Sequence, residues 1–350
     1  MAFQQREENM MWASVWHGPD DFRLEQRPSP ACPPGWVLLQ PELVGLCGTD
    51  LSIDAGHHGR ARAPLVLGHE VVATVVDPRE SNLAPGSRVA LRPTLPCGEC
   101  WPCRHGAPHT CRQLRLIGID MDGGLAELAV APAASLVPLS QQVPLTEAVL
   151  AEPLAVAIHA VERVGTVAGA TVLVIGAGPI GILTGLVASS RGGRVLVSEP
   201  HAHRRGLAED LGFETLDPAR PLLDEVASLT DGVMSDVLFD CAAYPPLSAE
   251  LSALVREHGS IVLVALYPDP TPLDLHAITF AEQAVLGSRV YTPDDLTAAV
   301  NFIDTGQLDL SRLPIGVFGL DDARGAVDAA RRGAALKIAV QPTSVLSPRG

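Results

Sequence analysis

The spacing of apolar residues changes character along the chain. From about Trp12 to Leu139, short apolar runs broken by Pro and Gly predict an irregular, barrel-like β domain, most clearly at residues 37–39, 71–76 and 88–91. From Pro144 to about Val164, apolar residues recur at helical spacing and predict a helix. The chain therefore begins with a β-rich part that ends in a helical connection.

From Thr171 onward, β-branched runs alternate with amphipathic stretches. The predicted strands are 171–175, 194–198, 236–240, 260–265 and 284–287. The predicted helices between them lie near 180–190, 203–211 and 247–258, and the tail adds amphipathic stretches at 294–305 and 321–332 and a strand near 336–340. Such alternation predicts an α/β fold with a doubly wound parallel sheet.

Composition and charge exclude several classes of function. The 350 residues are 47% hydrophobic and carry a net charge of −15, which disfavours a nucleic-acid partner. Residues 166–190 carry no charge and are numerous enough to span a bilayer, but the interior glycines predict a strand, a turn and a helix instead. The first residues lack the apolar core of a secretory signal, so we expect a reducing, cytoplasmic location.

Four cysteines lie within fifteen residues, at Cys97, Cys100, Cys103 and Cys111. Thiolates two to four residues apart can surround one tetrahedral Zn²⁺ in a short loop. The alternative is a pair of disulfides, which suits small secreted domains rather than a chain of this length. We therefore predict a closed, structural zinc site that leaves no position for chemistry.

A glycine-rich turn predicts a dinucleotide site. Its residues follow a predicted strand and open a helix: Gly176, Gly178, Pro179, Ile180 and Gly181. Backbone N–H groups in such a turn can approach a pyrophosphate. Glu199 ends the next strand, 23 residues beyond Gly176, where it can bind ribose hydroxyls and repel a 2′-phosphate, so we predict NAD. Arg204 and Arg205 leave NADP open as the alternative.

Three short stretches carry the residue types of a catalytic metal site. Cys47 and Thr49 offer a thiol and a hydroxyl, His69 and Glu70 an imidazole and a carboxylate, and Glu152 a further carboxylate. Cys, His and an acid are usual ligands of a zinc ion that keeps one position open. Such an ion is a Lewis acid that lowers the pKa of an alcohol. Each residue alone is more often a core or surface residue; their co-occurrence with the other two motifs favours the site.

Together these motifs resemble the zinc-dependent medium-chain alcohol dehydrogenases, nearest to the branch of sorbitol, threonine and butanediol dehydrogenases. The matching stretches are GLCGTD, LGHE, CGECWPC with Cys111, AEPLAVAIHA and VLVIGAGPIG. The resemblance implies a GroES-like β-rich catalytic domain at 11–155 and 292–350, a Rossmann domain at 156–291, an active site between them, and an N-terminal extension at 1–10.

The resemblance also implies roles for individual residues. Cys47, His69 and Glu70 would ligate the catalytic zinc, and Glu152 would either ligate it or hold its water. Thr49 would take the alcohol proton, while Asp50 would orient the imidazole. The implied cofactor contacts beyond the glycine turn and Glu199 are Arg204, Ala265, Ser288 and Lys337, with Arg204 near the adenosine ribose and Lys337 near the pyrophosphate.

The chain departs from the family pattern at the proton relay. Ser52 stands where many relatives have a histidine, so the relay would run through Thr49, Ser52, water or a ribose hydroxyl. Ile53 replaces a residue that is often aromatic in sorbitol dehydrogenases. His57 and His58, in the following loop, are candidates for substrate contact, as are Arg289 and Tyr291 after the last predicted Rossmann strand; exposed turns or packing are the alternatives.

The predicted reaction is transfer of a hydride from a secondary alcohol to NAD, giving a ketone, with two zinc ions per chain. Polyols, diols, cyclitols and aminocyclitols are the candidate substrates. The alternatives are an NADPH-dependent ketone reductase and, less favoured, a zinc- and nucleotide-binding protein without catalysis. The resemblance implies a homodimer or homotetramer, with neither a nucleic-acid nor a membrane partner.

Overall fold

A computed structural model describes residues 10–342. The described chain forms two compact units: the first runs to Glu152 and resumes at Thr292, and the second comprises Pro153–Tyr291. The predicted N-terminal extension, residues 1–10, lies outside the described residues except for Met10, which begins the first strand. Each unit has its own sheets.

The first unit is β-rich. Its strands are β1 (Met10–Gly18), β2 (Asp21–Pro28), β3 (Trp36–Gly45), β4 (Leu65–Val66), β5 (Glu70–Asp77), β6 (Arg88–Leu91), β7 (Thr94–Leu95), β8 (Arg115–Leu116), β9 (Ala129–Pro132), β10 (Leu136–Pro138), β17 (Ile315–Gly319) and β18 (Lys337–Gln341). Its helices are α1 (Gly48–Asp54), α2 (Trp101–Arg104), α3 (Leu145–Ala148), α9 (Pro293–Asp304) and α10 (Ala323–Arg332), and α4 (Ala151–Glu162) begins in it.

The largest sheet of the first unit has the order β10-β6-β5-β3-β18-β17, with β9 also paired to β3. A three-stranded sheet, β2-β1-β4, and the β7–β8 pair accompany it. Leu39, Leu67, Ile117 and Leu125 are almost fully buried in the core of this unit. Because β18 comes from the end of the chain, the C-terminal segment completes the sheet that the N-terminal segment begins.

The second unit is a six-stranded parallel sheet in the order β13-β12-β11-β14-β15-β16. Its strands are β11 (Thr171–Ile175), β12 (Arg194–Ser198), β13 (Glu214–Leu216), β14 (Ser235–Asp240), β15 (Val255–Leu263) and β16 (Ala284–Gly287). Its helices are α5 (Pro179–Ser190), α6 (Ala202–Asp210), α7 (Leu222–Leu229) and α8 (Leu275–Phe280). This strand order is that of the Rossmann fold, and the sheet core includes Leu173, Leu196, Leu238 and Ile261.

Two predicted elements differ in detail. The helix expected at 247–258 is a 3₁₀ segment, Pro245–Leu254, and β15 already begins at Val255, which pairs with Ser235. Two prolines open that segment, and proline restricts the backbone of its neighbour. The helix expected from Pro144 to about Val164 is divided into α3 and α4. Among residues 10–342, no helix has the length and apolar character needed to cross a bilayer.

Candidate active site

Cys47 lies between the end of β3 and the start of α1. Its backbone is extended, with φ −104° and ψ 162°, and its N–H group donates to Asp50 Oδ2 at 2.8 Å. Asp50 thereby closes the first turn of the helix, in the manner of a capping residue. Its other carboxylate oxygen lies 3.5 Å from His69 Nδ1. One buried carboxylate thus connects the cysteine backbone to the imidazole.

His69 and Glu70 stand at the start of β5 because of a glycine. Gly68 has φ +95°, and a Cβ atom there would lie 2.6 Å from Val44 Cγ1. Only glycine combines this conformation with so close an approach. The side chains of His69 and Glu70 are 6% and 1% exposed, so both are buried in the interior.

Cys47, His69 and Glu70 form a group whose ligand atoms all lie within 4.8 Å of one another. A thiolate, an imidazole and a carboxylate are the donors that zinc accepts, and three protein ligands leave a fourth position open. His69 Nδ1 and Asp50 Oδ1 are buried and lack any closer hydrogen-bond partner among the described residues. The Asp50–His69 arrangement is the usual support of a metal-binding imidazole. These residues therefore fit a zinc ion.

Charge around the imidazole bears on metal binding. Burial alone would lower the pKa of His69, but the charge of Asp50 raises it well above its ordinary value. A metal ion at this imidazole therefore has to displace a proton. Glu152 is also buried, at 9% exposure, but its carboxylate is not in the described group of ligand atoms.

Glu70 has a second partner that the sequence did not indicate. Lys337 Nζ contacts both carboxylate oxygens, and its side chain is 3% exposed. Burial lowers the pKa of Lys337, but the Glu70 carboxylate, with Cys47 and Glu152, raises it above its usual value. The resemblance implied a place for Lys337 near the cofactor pyrophosphate; in the structure its ammonium group lies against Glu70. Only the pairing of β18 and β5 with β3 would have indicated this position of Lys337.

The proposed proton-accepting residues lie on α1. Thr49 Oγ1 is 3.7 Å from Cys47 Sγ, and Ser52 is half-exposed one turn further along. Asp54, at the end of the helix, is fully buried and lies 2.7 Å from Arg331 Nη2 and 3.2 Å from Arg324 Nη1. These ion pairs to α10 hold the helix that carries both hydroxyls.

The four-cysteine loop has the geometry of a metal site. Sγ–Sγ distances are 3.4 Å for Cys100–Cys103, 3.5 Å for Cys97–Cys111 and 3.7 Å for Cys100–Cys111. Tetrahedral Zn–S bonds of about 2.3 Å place sulfurs about 3.8 Å apart, whereas a disulfide bond is about 2.0 Å long. Backbone N–H groups of Cys103 and Arg112 lower the pKa of Cys100 to about 6, whereas burial and the neighbouring Cys100 raise the pKa of Cys103 to about 12. Without a metal ion, Cys100 is therefore the first of the two to ionise. The loop fits a structural zinc ion.

A cavity of about 720 Å³ opens at the carboxyl ends of β11, β12 and β14. Gly176, Gly178, Glu199 and Arg204 line it. Gly181 is required by packing, because a Cβ there would lie 1.8 Å from the Gly176 carbonyl oxygen. Ligands of Rossmann sheets bind outside the carboxyl ends of the strands, and the cavity fits one end of a dinucleotide.

Glu199 is held at the rim of this cavity by contacts that the sequence did not reveal. Its Oε2 accepts the Ala177 N–H at 2.9 Å, and its Oε1 accepts the His201 N–H at 2.9 Å and lies 2.7 Å from His201 Nδ1. Burial alone would raise the pKa of Glu199, but these N–H groups lower it. The carboxylate is therefore ionised and oriented. Arg205 is engaged by Asp217 at 2.8 Å, whereas Arg204 faces the cavity.

Several residues that the sequence predicts as contacts do not line this cavity, and their roles stay predictions. The lining of the nucleotide cavity does not include Pro179, Ile180, Ala265 or Ser288. The Ser288 N–H donates to Leu263 O at 2.9 Å and the Ala265 N–H to Asp240 O at 2.9 Å, so both follow the ends of sheet strands. Arg289 is exposed, whereas Tyr291 is 1% exposed. His57 is exposed and His58 half-buried.

Comparisons with known proteins identify the family. Residues 33–141 match the family model described as alcohol dehydrogenase GroES-like domain, and residues 179–305 match that described as zinc-binding dehydrogenase. A 2-dehydro-3-deoxy-L-galactonate 5-dehydrogenase from Pseudoalteromonas atlantica is 34% identical over 323 residues, 90% of this chain and 94% of that protein. This chain belongs to the zinc-dependent medium-chain alcohol dehydrogenase family. It is a zinc-dependent oxidoreductase, and the predicted fold is confirmed.

Solved structures of family members extend the match. A zinc-binding dehydrogenase from Sinorhizobium meliloti bound to NADP has a TM-score of 0.90 and 30% identity, covering 95% of this chain and 99% of that one. An alcohol dehydrogenase from Escherichia coli complexed with NADH has a TM-score of 0.88 and 26% identity, covering 95% and 100%. Other relatives are named as sorbitol, L-threonine 3- and L-galactonate-5-dehydrogenases.

Proposed function

We propose that this dehydrogenase oxidises a secondary alcohol to a ketone with NAD as hydride acceptor. The substrate class is a polyol, diol, sugar acid, cyclitol or aminocyclitol. The observation that carries the proposal is the convergence of Cys47, His69 and Glu70 ligand atoms within 4.8 Å. The relatives' names, which include polyol and sugar-acid dehydrogenases, support the substrate class.

The chain's own residues would hold the metal and move the proton. Cys47, His69 and Glu70 would ligate the catalytic zinc, with Glu152 as the further acid. When bound, the ion would supply Lewis acidity that lowers the pKa of the substrate hydroxyl. Thr49 Oγ1, 3.7 Å from Cys47 Sγ, would accept the hydroxyl proton, and Ser52 on the same helix would pass it outward. Asp50 would keep the His69 ring in place.

The preference for NAD rests on Glu199. Its lowered pKa keeps it charged, and it lines the cavity in which the adenosine ribose would bind. A buried, oriented carboxylate binds ribose hydroxyls and repels a 2′-phosphate. NADPH-dependent ketone reduction is the second candidate, because Arg204 also faces this cavity and one structural neighbour contains NADP.

A panel of secondary alcohols, sugar acids and cyclitols, assayed with NAD and NADP, tests the proposal. We expect NADH formation with at least one member and a higher kcat/KM for NAD. Glu199→Ala should reduce that preference by about tenfold or more, as expected for loss of one charged contact. Turnover that persists undiminished in Cys47→Ala would exclude the metal-dependent reaction, and a higher kcat/KM for NADP would favour the reductase.

We further propose self-association through β16. This strand lies at one end of the sheet of the second unit, and its Val285 and Leu286 are half-buried. One edge of β16 pairs with no other strand among residues 10–342, and such an edge is a template for pairing with a second copy. Val285→Pro should shift the protein toward monomers in analytical ultracentrifugation, whereas an unchanged sedimentation coefficient would exclude this edge as the interface.

A further inference from the structure

His201 lies beside Glu199 in the nucleotide cavity, two residues further along the chain. Its side chain is 61% exposed, whereas that of Glu199 is 4% exposed. His201 precedes α6 as the N-cap residue, but its side chain makes no capping hydrogen bond to that helix. Both residues line the cavity at the carboxyl ends of β11, β12 and β14. The imidazole therefore adds an accessible polar group next to the buried acid.

Glu199 has little capacity left to accept hydrogen bonds from a ligand. Its Oε1 already faces two groups of His201, the backbone N–H at 2.9 Å and Nδ1 at 2.7 Å. Its Oε2 accepts the Ala177 N–H at 2.9 Å. Because a carboxylate offers about four acceptor positions, about one remains, on Oε2. The adenosine ribose of NAD presents a 2′- and a 3′-hydroxyl, so binding both requires a second acceptor.

The contact with Glu199 fixes where the imidazole carries its hydrogen. Glu199 is ionised, because backbone and side-chain hydrogen bonds lower its pKa, and an ionised carboxylate only accepts hydrogen bonds. At 2.7 Å from Oε1, Nδ1 must therefore be the donor. Nε2 is then an acceptor in the neutral ring and a donor in the protonated ring. The same nitrogen can accept from a ribose hydroxyl or donate to a phosphate oxygen, depending on protonation.

The charge of the cavity lining changes when His201 is protonated. Among the described residues that line the cavity, Glu199 and Arg204 also carry charge, and their charges cancel. Cys241 and Tyr244 are in the lining as well, but neither a thiol nor a phenol can supply a positive charge. Burial raises the pKa of Cys241 to about 12, so its thiol stays neutral. Protonation of His201 therefore gives the lining a net positive charge.

The charged neighbours outside the lining do not alter this balance. Arg205 Nη1 donates to the Glu199 carbonyl oxygen at 2.7 Å, and its Nη2 pairs with Asp217 Oδ2 at 2.8 Å. The charges of Arg205 and Asp217 therefore offset each other. The ring of His203 lies 5.9 Å from that of His201, centroid to centroid, but His203 is exposed and is not among the described residues of the lining.

We propose that His201 is a specificity-determining residue, whose neutral ring favours a dinucleotide with a 2′-hydroxyl, NAD, and whose protonated ring favours one with a 2′-phosphate, NADP. The inference rests on the proposed binding of a nicotinamide dinucleotide in this cavity. Histidine is the side chain whose charge ordinarily changes between about pH 5 and 8. A lower pH therefore narrows the preference for NAD, because protonation adds a positive charge to the lining and turns Nε2 into a donor.

Fluorescence titrations with NADH and NADPH at about pH 6 and about pH 8.5 test this role. The measured quantity is the Kd for NADPH divided by the Kd for NADH. We expect this ratio to fall about fivefold or more from the higher to the lower pH, as for the gain of one charge-assisted hydrogen bond. His201→Asn keeps a side-chain N–H that can donate to Glu199 but cannot be protonated, so this fall should disappear. The 2′-phosphate itself gains a proton near pH 6, and the part of the change that it causes should remain in His201→Asn.

His203→Asn is the matched control, because it removes a neighbouring exposed imidazole that is not in the described lining. It should respond to pH as the unaltered protein does. An equal response to pH in His201→Asn and the unaltered protein, or an equal loss of the response in His203→Asn, would overturn the role of His201. If neither dinucleotide binds, the proposed cofactor is wrong and the inference fails with it. A protein that binds both dinucleotides but oxidises no alcohol would contradict the proposed reaction, and the two ratios would still decide the role of His201.

Discussion

Lys337 Nζ contacts both carboxylate oxygens of Glu70, although 267 residues separate them in the chain. Strand register explains the contact: Gly45 on β3 pairs with Glu70 on β5 and with Ala339 on β18. A Cβ at Gly45 would lie 2.2 Å from Glu70 Oε2 and 3.0 Å from Lys337 Cε. The glycine therefore leaves the space in which the pair forms. Lys337 is the only lysine in the sequence.

Loss of this ammonium group should be costly. Lys337→Met leaves the Glu70 carboxylate buried without its cationic partner, and breaking such a pair costs about 3–5 kcal/mol. We expect the free energy of unfolding to fall by that amount when urea titrations are made in a Cys47→Ser background. That background should lack the catalytic zinc, which would otherwise be a second cationic partner of Glu70. The matched double variant Lys337→Met/Glu70→Gln removes both charges and should recover part of the loss. A loss below about 1 kcal/mol in the single variant would show that the pair contributes little.

Substitutions in the two metal sites should each remove a different zinc ion. Cys47→Ser should retain one zinc ion per chain, lose turnover and keep its fold, since the catalytic site is not required for folding. Cys103→Ser should lose the other ion and unfold more easily, because a structural zinc site contributes on the order of 10 kcal/mol locally. Atomic emission of purified protein measures the zinc content.

Cys32→Ser is the matched control for both cysteine variants. Cys32 is half-buried and belongs to neither group of candidate ligands among the described residues. We expect it to keep two zinc ions and full activity. Two ions in Cys47→Ser would contradict the ligand assignment at the catalytic site, and an unchanged unfolding midpoint in Cys103→Ser would contradict a structural role for the loop.

The motifs could be predicted from the sequence because the residues of each motif lie close together in the chain. Each motif is recognised from a stretch of no more than about thirty residues. The structure has the glycine turn after β11 and the acid at the end of β12, as the sequence pattern predicts. The cysteine loop is recognised in the same way. The doubly wound parallel sheet also follows from the alternation of strands and helices, but the order of its strands was not predicted. Short-range pattern was therefore sufficient for the fold class and for selecting the candidate ligands, whose roles stay predictions.

Contacts between residues far apart in the sequence could not be predicted in this way. Nothing near Lys337 in the sequence points to Glu70, because the contact depends on how β18 joins β3 and β5. The ion pairs of Asp54 with Arg324 and Arg331 likewise join distant segments. Short, weak elements such as β13 and β17 were also missed, since three to five residues carry little periodicity.

Two glycines of the nucleotide turn should respond differently to alanine. At Gly181 a Cβ would lie 1.8 Å from the Gly176 carbonyl oxygen, so Gly181→Ala must displace the turn. At Gly178 no atom lies within 4 Å of the added Cβ, and φ is −73°, which alanine adopts freely. We expect Gly181→Ala to lower the melting temperature by several degrees, since about 1 kcal/mol of destabilisation shifts it by roughly 2–4 °C.

Gly178→Ala should instead affect only binding. Gly178 lines the cavity, so its new methyl group would occupy the space that the dinucleotide backbone approaches. We expect an unchanged melting temperature and an NADH affinity reduced about tenfold or more, measured by fluorescence titration with NADH. Equal melting temperatures for the two variants would contradict the packing role of Gly181, and unaltered affinity in Gly178→Ala would contradict pyrophosphate binding at this turn.

The lowered pKa of Glu199 should make the free energy of unfolding depend on pH. The N–H groups of His201 and Ala177 hold its pKa below the ordinary value of 4.5, against the opposing effect of burial. A carboxyl group with a lowered pKa stabilises the folded state above pH 4.5, and this contribution disappears as the pH falls through the folded-state pKa. Glu199→Gln cannot ionise, so we expect it to be less stable than the unaltered protein at pH 7. The difference in unfolding free energy, measured by urea titration across the acid range, should shrink below pH 4.5. A constant difference would mean that hydrogen bonding to the ionised carboxylate contributes nothing, and that Glu199 is not held in the orientation that ribose binding requires.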